Sequence, residues 1–163
     1  MTSRGPACLA LLLAGCVPAG PAPDAGAAMR WHEERRATDI EVSAALNGAG
    51  GADYPRAIAA IERSGRPRSV IDRQVGDLIL SAHRDGLPAT MPAQPAAEGI
   101  ARLEATAAAN GEAAAGARQS LRLWFERGAG AALPPDPALA RCWGEAAAGR
   151  RGGAACVALR QQR

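Results

Sequence analysis

The sequence predicts an all-α domain of stacked antiparallel helix hairpins. An Ala-Ala pair at Ala107 returns 40 residues later at Ala147, and an Ala-x-x-x-Leu step at Ala117 returns 38 residues later at Ala155. Periods in this range, with glycines between amphipathic segments, are typical of helical-repeat stacks. The stretch over residues 107–159 therefore organises the predicted fold. A helix stack is an architecture and does not by itself specify a chemistry.

Length and charge narrow the classes of function. The 163 residues suit one domain with a modest core. The net charge is only +3, with acidic and basic residues interleaved along the chain. A nucleic-acid interface needs clustered positive charge, so none is expected. Every basic residue is Arg, and Ala is abundant. Both are strong helix formers, which supports the all-α prediction.

The first sixteen residues have the order of features found in bacterial lipoproteins. Arg4 precedes a short apolar run over residues 7–14, which is too short to span a bilayer, a task that takes about 20 residues. The run ends in Leu13-Ala14-Gly15-Cys16, which resembles a lipobox cleaved before the cysteine. The resemblance implies lipidation of Cys16, and Val17 after it favours the outer membrane. An ordinary signal peptide that happens to contain Cys16 is the alternative.

The chain is accordingly divided into three parts. Residues 1–15 are expected to be a cleaved signal peptide. Residues 16–28, rich in Pro, Ala and Gly, are expected to be a flexible tether that follows the lipidated cysteine. Residues 29–163 form the predicted helical domain. Such a protein is anchored to a membrane without crossing it.

The first half of this domain has three amphipathic segments. Residues 29–46 form the first, starting near residue 29 or at a capping box at Thr38, with an inward face of Ala37, Ile40 and Ala44. Asp53 caps the second, which buries Ala57, Ile58 and Ile61. The third, over residues 69–85, has the clearest apolar stripe: Ile71, Val75, Leu78, Ile79 and Ala82.

A loop over residues 87–94 precedes four more helices. These are expected over residues 95–110 and 113–127, then from Asp136 onward and over residues 153–163. Turns and caps are assigned to Gly111, Gly128, Gly130 and Asp136. The predicted inward positions are Ile100, Leu103, Ala107, Ala117, Leu121, Trp124, Phe125, Leu139, Ala140, Trp143, Ala147, Ala155 and Leu159.

These residues resemble a Sel-one-like repeat, a relative of the tetratricopeptide repeat (TPR). One repeat lies between Ala117 and Gly152 with a half repeat on each side, so the resemblance covers residues 95–160. Arg122 departs from the pattern, because the family favours Gly there. The resemblance implies a short α-solenoid that grips a protein partner on its concave face, as envelope lipoproteins of this kind do. Its signature positions are Leu103, Ala107, Ala108, Gly111, Ala117, Leu121, Phe125, Gly128, Gly130, Asp136, Ala140, Trp143, Ala147, Ala148, Gly152, Ala155 and Leu159.

Two cysteines are candidates for a disulfide. Cys142 and Cys156 are the thiols left once Cys8 is cleaved off and Cys16 is acylated. An exported compartment permits disulfides. If residues 149–152 form a turn, Cys142 lies about 10 Å of helix before it and Cys156 about 6 Å after it, at 1.5 Å per residue. The mismatch is tolerable, because the Cα atoms of a disulfide are about 4.4–6.8 Å apart. The bond would add up to about 3 kcal/mol. Two free buried thiols are the alternative.

No catalytic or metal-binding constellation is expected. His32-Glu33 lacks the second histidine of a zinc-protease helix, because Arg36 occupies that position. Asp72 and Asp77 are five residues apart and point to different helix faces, which gives glycosidase chemistry no support. We therefore expect a non-enzyme without a cofactor or a metal.

The predicted work is protein binding. The expected partners are one or more cell-envelope proteins, with the membrane reached through the lipid anchor and no nucleic acid involved. Trp124 and Trp143 fit core positions better than a sugar-stacking pair, and His83 fits the surface. A glycan-binding or small-ligand-binding lipoprotein using Trp31, Trp124 or His83 is the runner-up. A peptidoglycan-acting enzyme ranks last.

Overall fold

The computed structural model describes residues 25–86 and 95–163. Within these residues the chain forms seven α-helices, which confirms the all-α prediction. The predicted lipobox with Cys16, residues 16–24 of the tether and the expected loop over residues 87–94 lie outside the described part. The helices are α1 (Ala25–Leu46), α2 (Tyr54–Glu62), α3 (Arg68–Arg84), α4 (Ala96–Ala107), α5 (Glu112–Arg127), α6 (Pro137–Ala147) and α7 (Gly153–Gln161).

Consecutive helices pack against one another along the whole series. The most extensive contacts are those of α3 with α4 and of α5 with α6. Helix α3 also lies against α5, so one helix of each pair meets its counterpart in the next. Helix α7 packs on α6 and also contacts α4. The α3–α5 contact creates the cleft described below.

A glycine pair lets α3 and α4 approach closely. A Cβ at Gly76 would lie 2.9 Å from the carbonyl oxygen of Gly99, and a Cβ at Gly99 would lie 3.1 Å from the carbonyl oxygen of Gly76. Leu103 fills the adjacent space and is fully buried. Any larger residue at this crossing would push the two helices apart.

The apolar core consists of two clusters. The smaller one joins α2 and α3 through Ile58, Ile61, Ile71, Val75 and Ile79, and Val42 of α1 packs against it. The larger one runs from the end of α3 to α7 and has Phe125 and Trp143 as its largest members. The buried members of the smaller cluster are Ile and Val, whereas the larger cluster combines these two aromatic residues with Leu, Ile, Cys and Ala.

Two of the predicted caps are confirmed in atomic detail. The Asp53 side chain accepts a hydrogen bond from the backbone N–H of Arg56 at 3.1 Å. The Asp136 side chain accepts from the backbone N–H groups of Ala138 and Leu139, each at 3.0 Å. Both helices have Pro in the first turn, which suits a position whose N–H has no helical partner.

Helix α1 differs from the sequence prediction. It begins at Ala25, so residues 25–28 belong to the helix and not to the tether. It runs through Thr38, whose hydroxyl donates to the carbonyl of Glu34 at 3.1 Å, so the alternative start at Thr38 is wrong. Ala37, Ile40 and Ala44 are exposed instead of inward. Val42 and Ala45 face α2 in their place, because the packed side of α1 is rotated about half a turn from the predicted one.

Three alanines of the predicted repeat also lie elsewhere than expected. Ala108 is exposed because it is the C-cap residue of α4, beyond the last inward turn. Ala147 is half-buried, while its neighbour Ala146 takes the buried position one turn after Trp143. Ala155 is exposed because the adjacent Cys156 directs the opposite side of α7 into the core.

Candidate functional site: the cleft between α3 and α5

A cleft of about 320 Å³ opens between the C-terminal halves of α3 and α5. Unlike the apolar clusters, it combines a carboxylate, two hydroxyls, two guanidinium groups and an indole. Concave sites with a few convergent polar groups are the usual form of binding sites. The lining residues are Asp77, Ser81, Arg84, Ser120, Leu123, Trp124, Arg127 and Gly128.

Asp77 holds the floor of the cleft in place. One of its carboxylate oxygens accepts from the indole N–H of Trp124 at 2.9 Å, and the other accepts from the Ser120 hydroxyl at 3.0 Å. Burial raises the pKa of Asp77, while the hydrogen bonds from Trp124 and Ser120 and the charge of Arg73 act in the opposite direction. Both oxygens are engaged within the protein, so Asp77 fixes the orientation of the indole.

Arg84 covers part of the Trp124 ring. Its guanidinium carbon lies 5.9 Å from the ring centroid, within range of a cation–π interaction. Its Nε also donates to Asp85 at 2.8 Å, and that carboxylate accepts from the Tyr54 hydroxyl. Arg84 and Tyr54 together lower the pKa of Asp85. Burial, reinforced by Asp85, raises the pKa of Tyr54 to about 12. These contacts connect the outer edge of the cleft, called the rim below, to the start of α2.

Arg127 is the second cation of the rim. It lies in the last turn of α5, where a cation complements the helix dipole, and its side chain is exposed. In the described part of the chain its guanidinium has no acidic partner. Since Asp85 already pairs with Arg84, the charge of Arg127 is available to an anionic group entering the cleft.

The turn after α5 shapes the end of the cleft. Gly128 has φ +77° and Gly130 has φ +64°, positive values that suit the turn and cap assigned to them. A Cβ at Gly128 would lie 2.7 Å from the carbonyl oxygen of Leu133. The backbone N–H of Ala129 donates to that same carbonyl at 2.8 Å. Gly111 has φ +103°, but it is the N-cap residue of α5.

The structure divides the predicted signature residues between core and cleft. Trp143 is fully buried, whereas Trp124 is half-buried and lines the cleft, so the two indoles do not form a stacking pair. Ala140 is half-buried, like Ala147. His83 is half-buried on α3. The signature positions that are buried are Leu103, Ala107, Ala117, Leu121, Phe125, Gly128 and Trp143.

The sulfur atoms of Cys142 and Cys156 lie 2.07 Å apart, at disulfide-bonding distance. The Cα atoms are 5.7 Å apart, within the range predicted from the short turn. A second link ties the same terminal helix to α4: Arg160 donates two hydrogen bonds of 2.7 Å to the buried carboxylate of Glu104. Helix α7 therefore contacts α6 through the cysteine pair and α4 through the Arg160–Glu104 ion pair.

Sequence reasoning missed the cleft because its parts are far apart in the chain. Asp77 was considered only as a partner of Asp72, and the structure gives the two carboxylates different contacts. Asp72 pairs with Arg68 and Arg102, and Asp77 binds α5. Among the described residues, no group of three or more His, Cys, Asp or Glu could hold a metal ion. No helix in that part of the chain has the length and hydropathy to cross a membrane.

Comparison with known proteins gives no relative from which a role could be transferred. No protein-family model matches the chain, and neither the curated proteins nor the solved structures provide a match.

Proposed function

We propose that this chain is a lipid-anchored envelope protein that binds a protein partner through the α3–α5 cleft. It serves as a scaffold or accessory subunit of a periplasmic or outer-membrane assembly. The observation behind the proposal is the cleft itself, with a fixed indole on its floor and two guanidinium groups on its rim. The lipobox-like Leu13-Ala14-Gly15-Cys16 supports the anchor.

The contacts in the cleft favour a binding role over a catalytic one. Each carboxylate oxygen of Asp77 accepts a hydrogen bond from α5, one from Ser120 and one from Trp124, which favours a role in orienting the indole. The hydroxyl of Ser120 donates its hydrogen bond to that same carboxylate. Trp and Arg, in contrast, are the residues that most often anchor protein interfaces.

A peptide segment fits the cleft better than a glycan. Sugar binding relies on an open aromatic face and free planar hydrogen-bonding groups, but Arg84 lies over the Trp124 ring and both oxygens of Asp77 already accept hydrogen bonds within the protein. The guanidinium of Arg127 suits a carboxylate, which it can bind through two hydrogen bonds. A segment with an acidic side chain is the expected guest, lying between two helices as in other groove complexes.

The Sel-one-like resemblance supports the same conclusion. Proteins of that family usually act as scaffolds, and the pairing of α3–α4 with α5–α6 is compatible with a short solenoid. In such a stack the α3–α5 row would be the concave side. The irregular position of α7, which packs on α6 and α4, would end the row after two hairpins.

Photo-cross-linking in the native envelope tests the proposal. A photoreactive residue replacing Leu123, in the cleft, should capture a defined protein, whereas one replacing the exposed Arg141 on α6 should not. Adding Arg127→Glu should abolish the product, because a carboxylate then repels the acidic guest. No protein product from Leu123, together with glycan retained on the purified chain, would favour the glycan-binding alternative instead.

A further inference from the structure

Helix α1 carries the exposed large hydrophobic residues of the described part of the chain: Met29, Trp31 and Ile40. At 3.6 residues per turn, Met29 and Ile40 lie on the same, outer side, whereas Trp31 lies about 160–180° away from them, on the side of Val42 and Ala45. Residues 29–37 are exposed without exception. Val42 and Ala45 occupy the opposite side and pack toward α2. The outer side of α1 therefore exposes Met29 and Ile40, with charged and small residues between them.

Four residues of this outer face have the spacing of a coiled-coil seam. Met29, Glu33, Arg36 and Ile40 follow one another at steps of four, three and four residues. At 3.6 residues per turn, these positions fall within about 60° of arc. Steps of this kind keep a stripe of side chains facing a second helix, as the a and d positions of a heptad do. Ala37 and Ala44 flank the stripe with small exposed side chains that permit close approach.

The seam is complementary to a second copy of itself that runs in the opposite direction. The midpoint between Glu34 and Arg35 lies halfway between Met29 and Ile40, and also halfway between Glu33 and Arg36. Two antiparallel copies centred there would place Met29 opposite Ile40 at both ends and Glu33 opposite Arg36 twice in the middle. Across the described residues, Glu33 and Arg36 form no ion pair within the chain. Both charges are therefore available to a second copy.

We infer that two copies of this chain associate through antiparallel α1 helices, with Glu33 of each copy bound to Arg36 of the other. A two-fold interface uses the same patch on both subunits, so its contacts must match when the patch is reversed. Charge and apolar pairing in α1 both satisfy that requirement. Binding to an unrelated partner would not require the contact positions of α1 to share one midpoint.

The surface is small, and the affinity of the association through it is correspondingly low. Met29 to Ile40 spans about 16 Å of helix. Such an interface lies at the low end of specific complexes, below about 1,200 Å². The association is weak in dilute solution and depends on the two central ion pairs for its register. It is separate from the α3–α5 cleft, which contains no residue of α1.

Charge reversal tests the inference in the full-length chain. Sedimentation equilibrium in density-matched detergent should show a reversible dimer at concentrations up to about 100 μM, a range suited to weak complexes. Glu33→Arg and Arg36→Glu should each raise the dissociation constant at least tenfold. The double reversal should return it to within threefold of the wild type, and an equimolar mixture of the two single variants should form a mixed dimer. All positions are exposed, so far-UV circular dichroism should stay unchanged.

Cysteine cross-linking tests the antiparallel register separately. Chains carrying Met29→Cys and Ile40→Cys should cross-link when mixed, and neither should cross-link alone. Self-linking of Met29→Cys would indicate parallel helices and overturn the register. A chain that stays monomeric at 100 μM, or a double reversal that fails to restore association, would overturn the inference. Neither result would affect cross-linking from Leu123, so the two proposals fail independently.

Discussion

Replacing Gly76 by alanine tests how α3 is positioned against its neighbours. The new Cβ would lie 2.9 Å from the carbonyl oxygen of Gly99 and 2.9 Å from Cγ of Leu103. Both distances are well inside the about 3.5 Å of normal carbon contacts. Leu103 is fully buried and has little room to move. Overpacking of this kind costs about 1–3 kcal/mol, and higher helix propensity returns about 1 kcal/mol. The net effect is a loss of up to about 2 kcal/mol.

Gly144→Ala is the matched control. It also lies inside a helix, but its nearest foreign atom is Cδ of the flexible Arg122, at 3.3 Å. Propensity should dominate there and stabilise the protein by up to about 1 kcal/mol. Urea unfolding followed by circular dichroism should place the Gly76→Ala midpoint up to about 1 M below the wild type, and the Gly144→Ala midpoint at or above the wild type. If both variants are stabilised equally, the close α3–α4 crossing is wrong.

Three further predictions use other parts of the molecule. Replacing Cys142 and Cys156 together by Ala should lower the unfolding free energy by about 3 kcal/mol, measured by urea unfolding; oxidised, denatured wild type with two free thiols would contradict this. The pKa of Asp77 is raised in the folded state, so its contribution favours folding at low pH and is lost as the pH rises through the raised pKa. The fluorescence emission of Trp124 should change as Asp77 ionises, at a pH above the usual range for an aspartate. The Asp77→Asn variant should show no such change in this pH range. Cys16→Ser should move the chain from the membrane to the soluble fraction, and unchanged fractionation and gel mobility would exclude lipidation.

Local signals in the sequence were sufficient for most of the fold. Asp53 and Asp136 could be assigned as caps because a cap involves only the next three residues and a following Pro. Cys142 and Cys156 could be paired because they are separated by 14 positions across one short turn. These features need no knowledge of which helix packs on which.

The candidate site could not be predicted in this way, because it depends on which helices pack together. Asp77 meets Ser120 and Trp124 across 43 and 47 positions of chain, and no periodicity within one helix reports such a meeting. Ile40 was placed inward because it lies on a weak apolar stripe, but α1 has only one packed side. Its rotation is set by Arg66, which binds both Asp39 and the carbonyl of Arg35 from the turn after α2.

The central claim is that the α3–α5 cleft binds an acidic segment of a protein partner. The most direct test is the affinity of that segment, identified by cross-linking from Leu123 and made as a peptide. Titration calorimetry should give at least tenfold weaker binding to Arg127→Glu, equivalent to about 1.4 kcal/mol, and unchanged binding to Arg141→Glu. Equal affinity for all three proteins, or a loss confined to Arg141→Glu, would contradict the assignment of the cleft.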